Sequence, residues 1–207
     1  MSNKLLIFDF DETIYKKDSL VQFCLFIYKK YPHRSFYLLF QIAFTLFHFC
    51  KLINTKKYKE LFMGFLYNFS YADVEQLAKE FWQKEYPKNF NLDLLNIQRE
   101  GLRRICISAS PELYLKPVVD QLGLELIGTR LKYDKGIYKI DGENCKGEEK
   151  LKRLNQYLKN HKFEIESTYS DSWSDMPLFQ ISTKAFLIKN NKPILLRFSD
   201  KDGIMRI

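Results

Sequence analysis

The 207-residue sequence predicts an α/β fold with a doubly wound, mostly parallel, Rossmann-like sheet. Two observations support this prediction. Short apolar segments alternate with helical patterns, as in right-handed βαβ units whose sheet is covered on both faces. With 46% hydrophobic and 16% aromatic residues, the chain can bury one substantial core, which excludes a disordered protein. We therefore expect one principal domain, with room for an inserted subdomain.

The strands and helices are predicted in the following order. Residues 4–10 form a short apolar strand that ends in acids. Residues 103–108 form a second strand, and Pro111 after it is a favourable first residue for a helix. The later elements are a strand within 122–129, a hairpin around Asp134, Lys135 and Gly136, a helix from about residue 147 to residue 160, and two strands at 165–170 and 184–189.

Basic and aromatic residues are concentrated in residues 20–70. This segment contains seven Lys or Arg residues against one acid, whereas the whole chain has a formal net charge of +8. A basic chain favours anionic partners, which include nucleic acid, phosphorylated ligands and anionic membranes. Because the basic residues flank an apolar run instead of alternating with stacking aromatics, we expect no specific binding of nucleic acid. A salt-dependent shift assay would test that expectation.

Residues 35–50 carry no formal charge and are mostly apolar. The run is shorter than the ~20 residues that a spanning helix needs. Apolar residues occupy every side of its helical wheel, so such a helix must bury against protein or lipid. Two interpretations stay open. The helices pack on one another with a solvated rim of lysines, or the apolar residues enter a membrane interface while the lysines meet anionic lipid.

The cysteines and the first residues bear on the cellular compartment. The four cysteines include no CxxC pair and no nearby His at a zinc spacing, which predicts neither a disulfide framework nor a zinc site. Only four apolar residues separate Lys4 from Asp9, unlike a secretory signal peptide. We expect a cytoplasmic protein, peripheral at the inner membrane face if the apolar run meets lipid.

Polar side chains gather where the predicted strands end or the helices begin, at the edge where parallel sheets bind ligands. Four neighbouring carboxylates need a cation, and oxygen ligands favour Mg²⁺, whereas a lysine and a serine suit a phosphate group. Singly, each residue has a plainer explanation as a turn residue, a helix cap or a solvated lysine. Together they favour phosphoryl transfer, in which one carboxylate attacks phosphorus and another protonates the leaving oxygen. The set is Asp9, Asp11, Thr13, Ser108, Lys146, Asp171 and Asp175.

In this chain order, the segments FDFDET, ICISAS, NCKGEEK and YSDSWSDMP resemble the four motifs of the haloacid dehalogenase superfamily, in its phosphoserine-phosphatase-like branch. The resemblance implies a Rossmann-like core of residues 1–15 and 101–207. It also implies a helical cap of residues 16–100, inserted after the first strand. Asp9 would then be the nucleophile that forms an aspartyl-phosphate, and Asp11 the general acid and later the base.

The resemblance also implies the remaining roles. Asp9 and Asp171, with the backbone carbonyl of Asp11, would bind Mg²⁺. Asp175 would support the metal indirectly or through Lys146. The groups that would bind the phosphate are those of Ser108, Lys146 and Thr13, and Lys146 would also screen the charge of Asp9.

The cap sequence bears on the substrate. A phosphoserine phosphatase is expected to carry Glu nine residues after its nucleophile, and here that position is Asp18, followed by an apolar stretch. The basic, apolar cap resembles instead that of bacterial phosphatidylglycerophosphate phosphatases. We expect a Mg²⁺-dependent phosphomonoester hydrolase that acts on a phospholipid phosphate. The alternatives are a phosphatase of a soluble metabolite such as phosphoserine and a non-catalytic membrane-attached scaffold, against which the complete set of acids argues.

Overall fold

The computed structural model describes residues 4–96, 102–159, 163–198 and 204–206. Its centre is a seven-stranded sheet in the order β3-β2-β1-β6-β7-β8-β9, in which the first five strands pair in parallel, whereas β8 pairs antiparallel with both β7 and β9. The predicted α/β fold with a mostly parallel sheet is confirmed. The strands are β1 (Lys4–Phe8), β2 (Arg103–Pro111), β3 (Glu125–Thr129), β6 (Glu164–Ser170), β7 (Ser182–Lys189), β8 (Lys192–Phe198) and β9 (Ile204–Arg206).

Strand β1 lies inside the sheet and is apolar on both faces. Leu5 and Ile7 pack into the hydrophobic cluster on one face, and Leu6 and Phe8 into the cluster on the other. This alternation follows from the two-residue period of a strand. Because both faces are covered, the chain can place Asp9 only at the end of the strand, where the sheet opens.

The described residues between β1 and β2 form five α-helices. Helix α4 packs against α6 (Glu112–Gln121), where Trp82 Nε1 donates a hydrogen bond to the Tyr114 carbonyl at 2.6 Å. The helical segment therefore shares one hydrophobic core with the sheet, and its boundaries at 16 and 100 stay a prediction. The five helices are α1 (Ser19–Lys30), α2 (Tyr37–Phe49), α3 (Thr55–Phe62), α4 (Tyr71–Glu85) and α5 (Leu92–Leu95).

The expected hairpin is present, as β4 (Leu131–Asp134) and β5 (Ile137–Ile140). Its two turn residues have positive φ values, 48° at Lys135 and 86° at Gly136, as a tight two-residue turn requires. The hairpin packs on the helical segment, since Tyr138 Oη donates to the Phe69 carbonyl at 3.0 Å. This part of the predicted core domain thus lies against the helices inserted before it.

The other face of the sheet is covered by α7 (Glu148–Tyr157) and α8 (Met176–Gln180). Helix α7 occupies most of the predicted range 147–160, whose last residue lies outside the described ones. The four cysteines are all free, as expected.

Helix α2 is exposed to a degree that the sequence did not predict. Its one buried residue is the polar Gln41, which accepts a hydrogen bond from Tyr28 Oη and donates one to the Phe62 carbonyl, both at 2.8 Å. Leu39 is 72% exposed and Phe49 85%. Within the described parts of the chain, no helix combines the length and hydropathy that crossing a bilayer requires.

Candidate active site

A cavity of about 230 Å³ opens at the carboxyl ends of β1, β2 and β6. Its wall contains acids, bases and hydroxyl groups from both the sheet and the helical segment. Three of the predicted site acids and one predicted lysine are among them. The lining residues are Asp9, Asp11, Glu12, Asp18, Leu20, Lys59, Ala109, Ser110, Lys146, Lys150, Asp171, Ser172 and Ser174.

Asp9 is held in place by its backbone and by one lysine. Its amide donates to the Tyr169 carbonyl of β6 at 2.8 Å. Lys150 Nζ donates to Asp9 Oδ1 at 2.8 Å and to Asp175 Oδ2 at 2.6 Å. Burial opposes the charge of this ammonium group, but the two carboxylates outweigh burial and raise the pKa of Lys150. The lysine is therefore a fixed cation beside Asp9.

This contact corrects the expectation for Lys146. The lysine that screens Asp9 and joins it to Asp175 is Lys150, whereas Lys146 is exposed and lines the cavity. The reason is the start of α7: Gly147 has a φ of +60°, the helix begins at the next residue, and its first turn carries Lys150 inward. The segment NCKGEEK contains both lysines, so the motif offered two candidates.

Asp11 lies in a donor-rich pocket of the cavity. Ser110 Oγ donates to Asp11 Oδ2 at 2.5 Å, and the Ser19 amide donates to Oδ1 at 2.6 Å. Burial is the main cause that raises the pKa of Asp11 to about 6, and Asp18 adds to it. A carboxyl group with this pKa changes its protonation state near neutral pH, as a general acid and base must.

Two residues expected to contact phosphate are instead fully buried. The Thr13 hydroxyl accepts a hydrogen bond from the Asp171 amide at 3.0 Å, and the Ser108 hydroxyl accepts one from the Ser110 amide at 3.0 Å. Neither residue lines the cavity. Their short hydroxyl groups satisfy backbone amides of the adjoining loops, so they orient Asp171 and Ser110. Ser110 was not predicted to be a site residue, although it lies only two residues after Ser108, the serine that was expected to bind phosphate.

Asp171 lies next to Asp9 in the cavity wall. Burial, followed by the charge of Asp9, raises the pKa of Asp171 to about 7. Asp175 is buried, and its Oδ1 atom has no hydrogen-bond partner among the residues that the structure describes. The carboxylates of Asp9 and Asp171, with the unpaired Oδ1 atom of Asp175 nearby, are suited to bind a divalent cation.

The expected Mg²⁺ ligands, which are Asp9, Asp171 and the backbone carbonyl of Asp11, fit this arrangement. In the described part of the chain, no three His, Cys, Asp or Glu side chains group closely enough to hold a metal by themselves. The expected set needs only two carboxylates, Asp9 and Asp171, since its third protein ligand is the backbone carbonyl of Asp11. Mg²⁺ commonly keeps several waters and takes one or two carboxylates from the protein.

Comparisons with known proteins agree with this fold. Protein CicA of Caulobacter vibrioides (strain NA1000 / CB15N) is 30% identical over 199 residues, covering 91% of this chain and 88% of the relative. A solved structure of a protein of unknown function from Bordetella pertussis Tohama I has a TM-score of 0.77 at 22% identity, with 90% of each chain covered. A phosphoserine phosphohydrolase-like protein from Francisella tularensis subsp. tularensis SCHU S4 has a TM-score of 0.60 at 20% identity, covering 91% of this chain and 88% of the other.

Both solved structures share the fold of this chain, and the second shows that this fold occurs in a phosphoserine phosphohydrolase-like protein. The model of the haloacid dehalogenase-like hydrolases matches residues 6–180, which include the carboxyl end of β1, the helical segment and the other strand ends that form the cavity. The resemblance seen in the four sequence motifs is therefore confirmed, and the chain belongs to the haloacid dehalogenase-like hydrolase family.

Proposed function

We propose that the protein is a Mg²⁺-dependent phosphomonoester hydrolase that works through an aspartyl-phosphate on Asp9. The observation that carries this proposal is the pairing of two different carboxyl groups in one cavity. Asp9 is fixed by Lys150 through one oxygen, and burial raises the pKa of Asp11 to about 6. Because the two carboxyl groups lie in such different environments, Asp9 is suited to act as the nucleophile and Asp11 as the general acid.

In the first step, the Asp9 carboxylate attacks phosphorus and the ester P–O bond breaks. Lys150 occupies Asp9 Oδ1, so the second oxygen is the one available for attack. The leaving alkoxide takes the proton of Asp11, which becomes a carboxylate stabilised by Ser110 and the Ser19 amide. The products of this step are the free alcohol and an acyl phosphate on Asp9.

In the second step, the Asp11 carboxylate takes a proton from water as the water oxygen attacks phosphorus. The acyl phosphate bond breaks, inorganic phosphate forms, and Asp9 returns to a carboxylate beside Lys150. Asp9, Asp171 and the backbone carbonyl of Asp11 would hold Mg²⁺, which would supply charge neutralisation for the phosphoryl oxygens. Lys146 lies in the same wall and suits a phosphoryl oxygen as a further cation.

We further propose a phospholipid phosphate, such as phosphatidylglycerophosphate, as the substrate. The support comes from the surface beside the cavity. Leu20 lines the cavity, and the next residue, Val21, lines an apolar groove of about 300 Å³ between α1 and α2. An ester with acyl chains could place its phosphate in the cavity and its apolar part along this groove.

The charges around α2 favour an anionic membrane as the place where this substrate is met. Lys29, Lys30 and Lys51 are exposed at the ends of α1 and α2. Apolar side chains that enter an interface next to exposed lysines are typical of proteins that bind anionic lipid. A small soluble ester such as phosphoserine is the second candidate, because Asp18 and Lys59 present opposite charges in the cavity.

The test measures phosphate release with and without Mg²⁺. The substrates are phosphatidylglycerophosphate in vesicles, phosphoserine and p-nitrophenyl phosphate, with Asp9→Asn as the blank. Faster Mg²⁺-dependent release from the lipid supports the full proposal. Faster release from phosphoserine keeps the phosphatase and overturns the lipid substrate. Absence of Mg²⁺-dependent release from all three esters overturns the phosphatase itself.

A further inference from the structure

We propose that a second cavity, of about 280 Å³ between α2, α3 and the β4–β5 hairpin, binds a quaternary ammonium group, as in choline. This cavity shares no lining residue with the one that contains Asp9. The inference is independent of the proposed function and adds a second ligand to the chain. It rests on six side chains of the cavity wall, which are the aromatic Tyr37, Phe40, Phe44, Tyr67 and Tyr138 and the acidic Glu60.

Aromatic side chains make up half of this wall, as five of its ten lining residues. Along α2, the ring centroids of Tyr37 and Phe40 are 6.5 Å apart, and those of Phe40 and Phe44 are 6.4 Å apart. The face of an aromatic ring attracts a cation within about 6 Å of its centroid. Because neighbouring rings are so close, one cation in the cavity can lie within that distance of more than one of them.

Glu60 supplies a negative charge to the same wall. It is the one acid of residues 20–70, which contain seven Lys or Arg residues. Its Oε1 atom accepts a hydrogen bond from the Ile140 amide at 3.0 Å. Among the described residues, no Lys, Arg or His lies within ion-pair distance of its carboxylate. The carboxylate is therefore available to a cation that arrives with a ligand.

The lysines of α3 are near Glu60 in sequence but are engaged elsewhere. Lys56 Nζ donates to the Gly142 carbonyl, and Lys59 Nζ donates to the Ala109 carbonyl at 2.7 Å. None of the described residues that line this cavity is basic, and one of them is acidic. The cavity is thus complementary in charge to a cationic ligand.

The apolar character of the wall selects among ammonium groups. A primary ammonium brings three N–H donors, and a wall with so few acceptors would leave some of them unpaired. A quaternary ammonium has no N–H donor, so the rings and Glu60 can stabilise its charge while its methyl groups contact the apolar side chains. The cavity lies just below the ~300–1,000 Å³ of common ligand pockets, which suits a small group of this kind.

The experiment titrates the 207-residue protein with choline in a calorimeter. The reference ligand is 3,3-dimethyl-1-butanol, which has the shape of choline without its charge. We expect choline to bind about tenfold or more tightly than the alcohol, because only the cation is attracted by the rings and by Glu60. Equal affinities for the two ligands, or no detectable binding of choline, would overturn the inference.

Glu60→Gln should weaken choline binding about fivefold, as the loss of a partly exposed ion pair predicts, and should leave the neutral alcohol unaffected. Phe40→Leu removes a ring from a side chain that is 51% exposed and should also weaken choline selectively. The matched control is Glu75→Gln, which removes an exposed acid of α4 outside this cavity and should bind both ligands like the wild type.

A folded Glu60→Gln protein that binds choline as tightly as the wild type would contradict the inference. If thermal melting shows that this variant is unfolded, Phe40→Leu decides by the same criterion. Since calorimetry needs no turnover, neither result depends on whether the protein is a phosphatase.

Choline occurs as a free molecule and as the headgroup of phosphatidylcholine, and sedimentation separates these two sources. Vesicles of phosphatidylcholine are compared with vesicles of phosphatidylglycerol, each with the wild type and with Glu60→Gln. If the variant sediments less with phosphatidylcholine alone, the ligand is the lipid headgroup. If both proteins sediment equally with both vesicles while calorimetry shows that choline binds, the ligand is the free molecule.

Discussion

Lys150 joins two buried carboxylates, Asp9 and Asp175, and all three side chains are nearly inaccessible to water. Such an arrangement fixes the orientation of Asp9 because its lysine cannot move to solvent. Removal of one partner from a buried ion pair leaves an uncompensated charge, which is more harmful than the pair is favourable. The same contact should therefore be visible in stability as well as in activity.

For Lys150→Met, we expect the free energy of unfolding to fall by about 3–5 kcal/mol and phosphate release to be lost. Urea unfolding followed by circular dichroism measures the first effect. The control is Lys146→Met, which removes an exposed lysine and should change the free energy by less than about 0.5 kcal/mol. A larger loss of stability from Lys146→Met than from Lys150→Met would contradict the assignment.

Helix α2 has the reverse of the usual pattern, with a polar residue inside and apolar residues outside. Gln41 anchors it through hydrogen bonds to Tyr28 and Phe62, while the outer face presents apolar side chains such as Leu39 and Phe49 to the surroundings. Large exposed apolar patches mark interaction sites on soluble proteins. Helix α2 therefore suits an apolar partner, and under the proposed function this partner is an anionic lipid surface.

The double variant Leu39→Ser, Phe49→Ser should sediment less with anionic vesicles while releasing phosphate from a soluble ester at an unchanged rate. The control is Ile181→Ser, which changes an apolar residue at the end of α8 that is 45% exposed and which should sediment like the wild type. Neutralising Lys29 and Lys51 should also weaken sedimentation, because lysines near the surface add attraction to anionic lipid. The lipid proposal would be contradicted if the double variant sedimented like the wild type. If the variant also lost a dimer that the wild type forms at high concentration, α2 would be the surface that binds a second copy of the chain.

The stability of the whole molecule should depend on pH and Mg²⁺ together. Asp11 and Asp171 have pKa values raised to about 6 and about 7, so the folded state binds more protons than the unfolded chain between about pH 4 and pH 7. Without metal, the free energy of unfolding should then fall as pH rises through that window. Mg²⁺ favours the ionised carboxylates and should offset this loss.

Thermal melting should therefore show a larger Mg²⁺-induced rise in Tm at about pH 7.5 than at about pH 5. Asp171→Asn should remove most of the difference between the two pH values. Ca²⁺-free and Mg²⁺-free buffers serve as the reference. A rise that is equal at both values, or greater at the acidic one, would contradict a metal site built on Asp9 and Asp171.

Over the whole chain, the sequence predicts local features better than those that depend on packing. The strands β1, β2, β6 and β7 follow from apolar runs that end in polar residues. Strand β8 was missed because its turn is Asn190-Asn191, both with positive φ, without the Gly that commonly marks such turns. Only the start of α7 decides between Lys146 and Lys150, and only tertiary packing brings Lys59 into the cavity, so neither could be predicted from spacing.

The most direct measurement of the central claim is the trapping of phosphorylated Asp9. The Mg²⁺-loaded protein is mixed with a ³²P-labelled phosphomonoester and quenched in acid, and the labelled peptide is identified. We expect the label on the peptide that contains Asp9, with none on Asp9→Asn and more on a variant that cannot complete the second step, Asp11→Asn. Turnover without any labelled peptide, or label on a peptide that lacks Asp9, would contradict the aspartyl-phosphate mechanism.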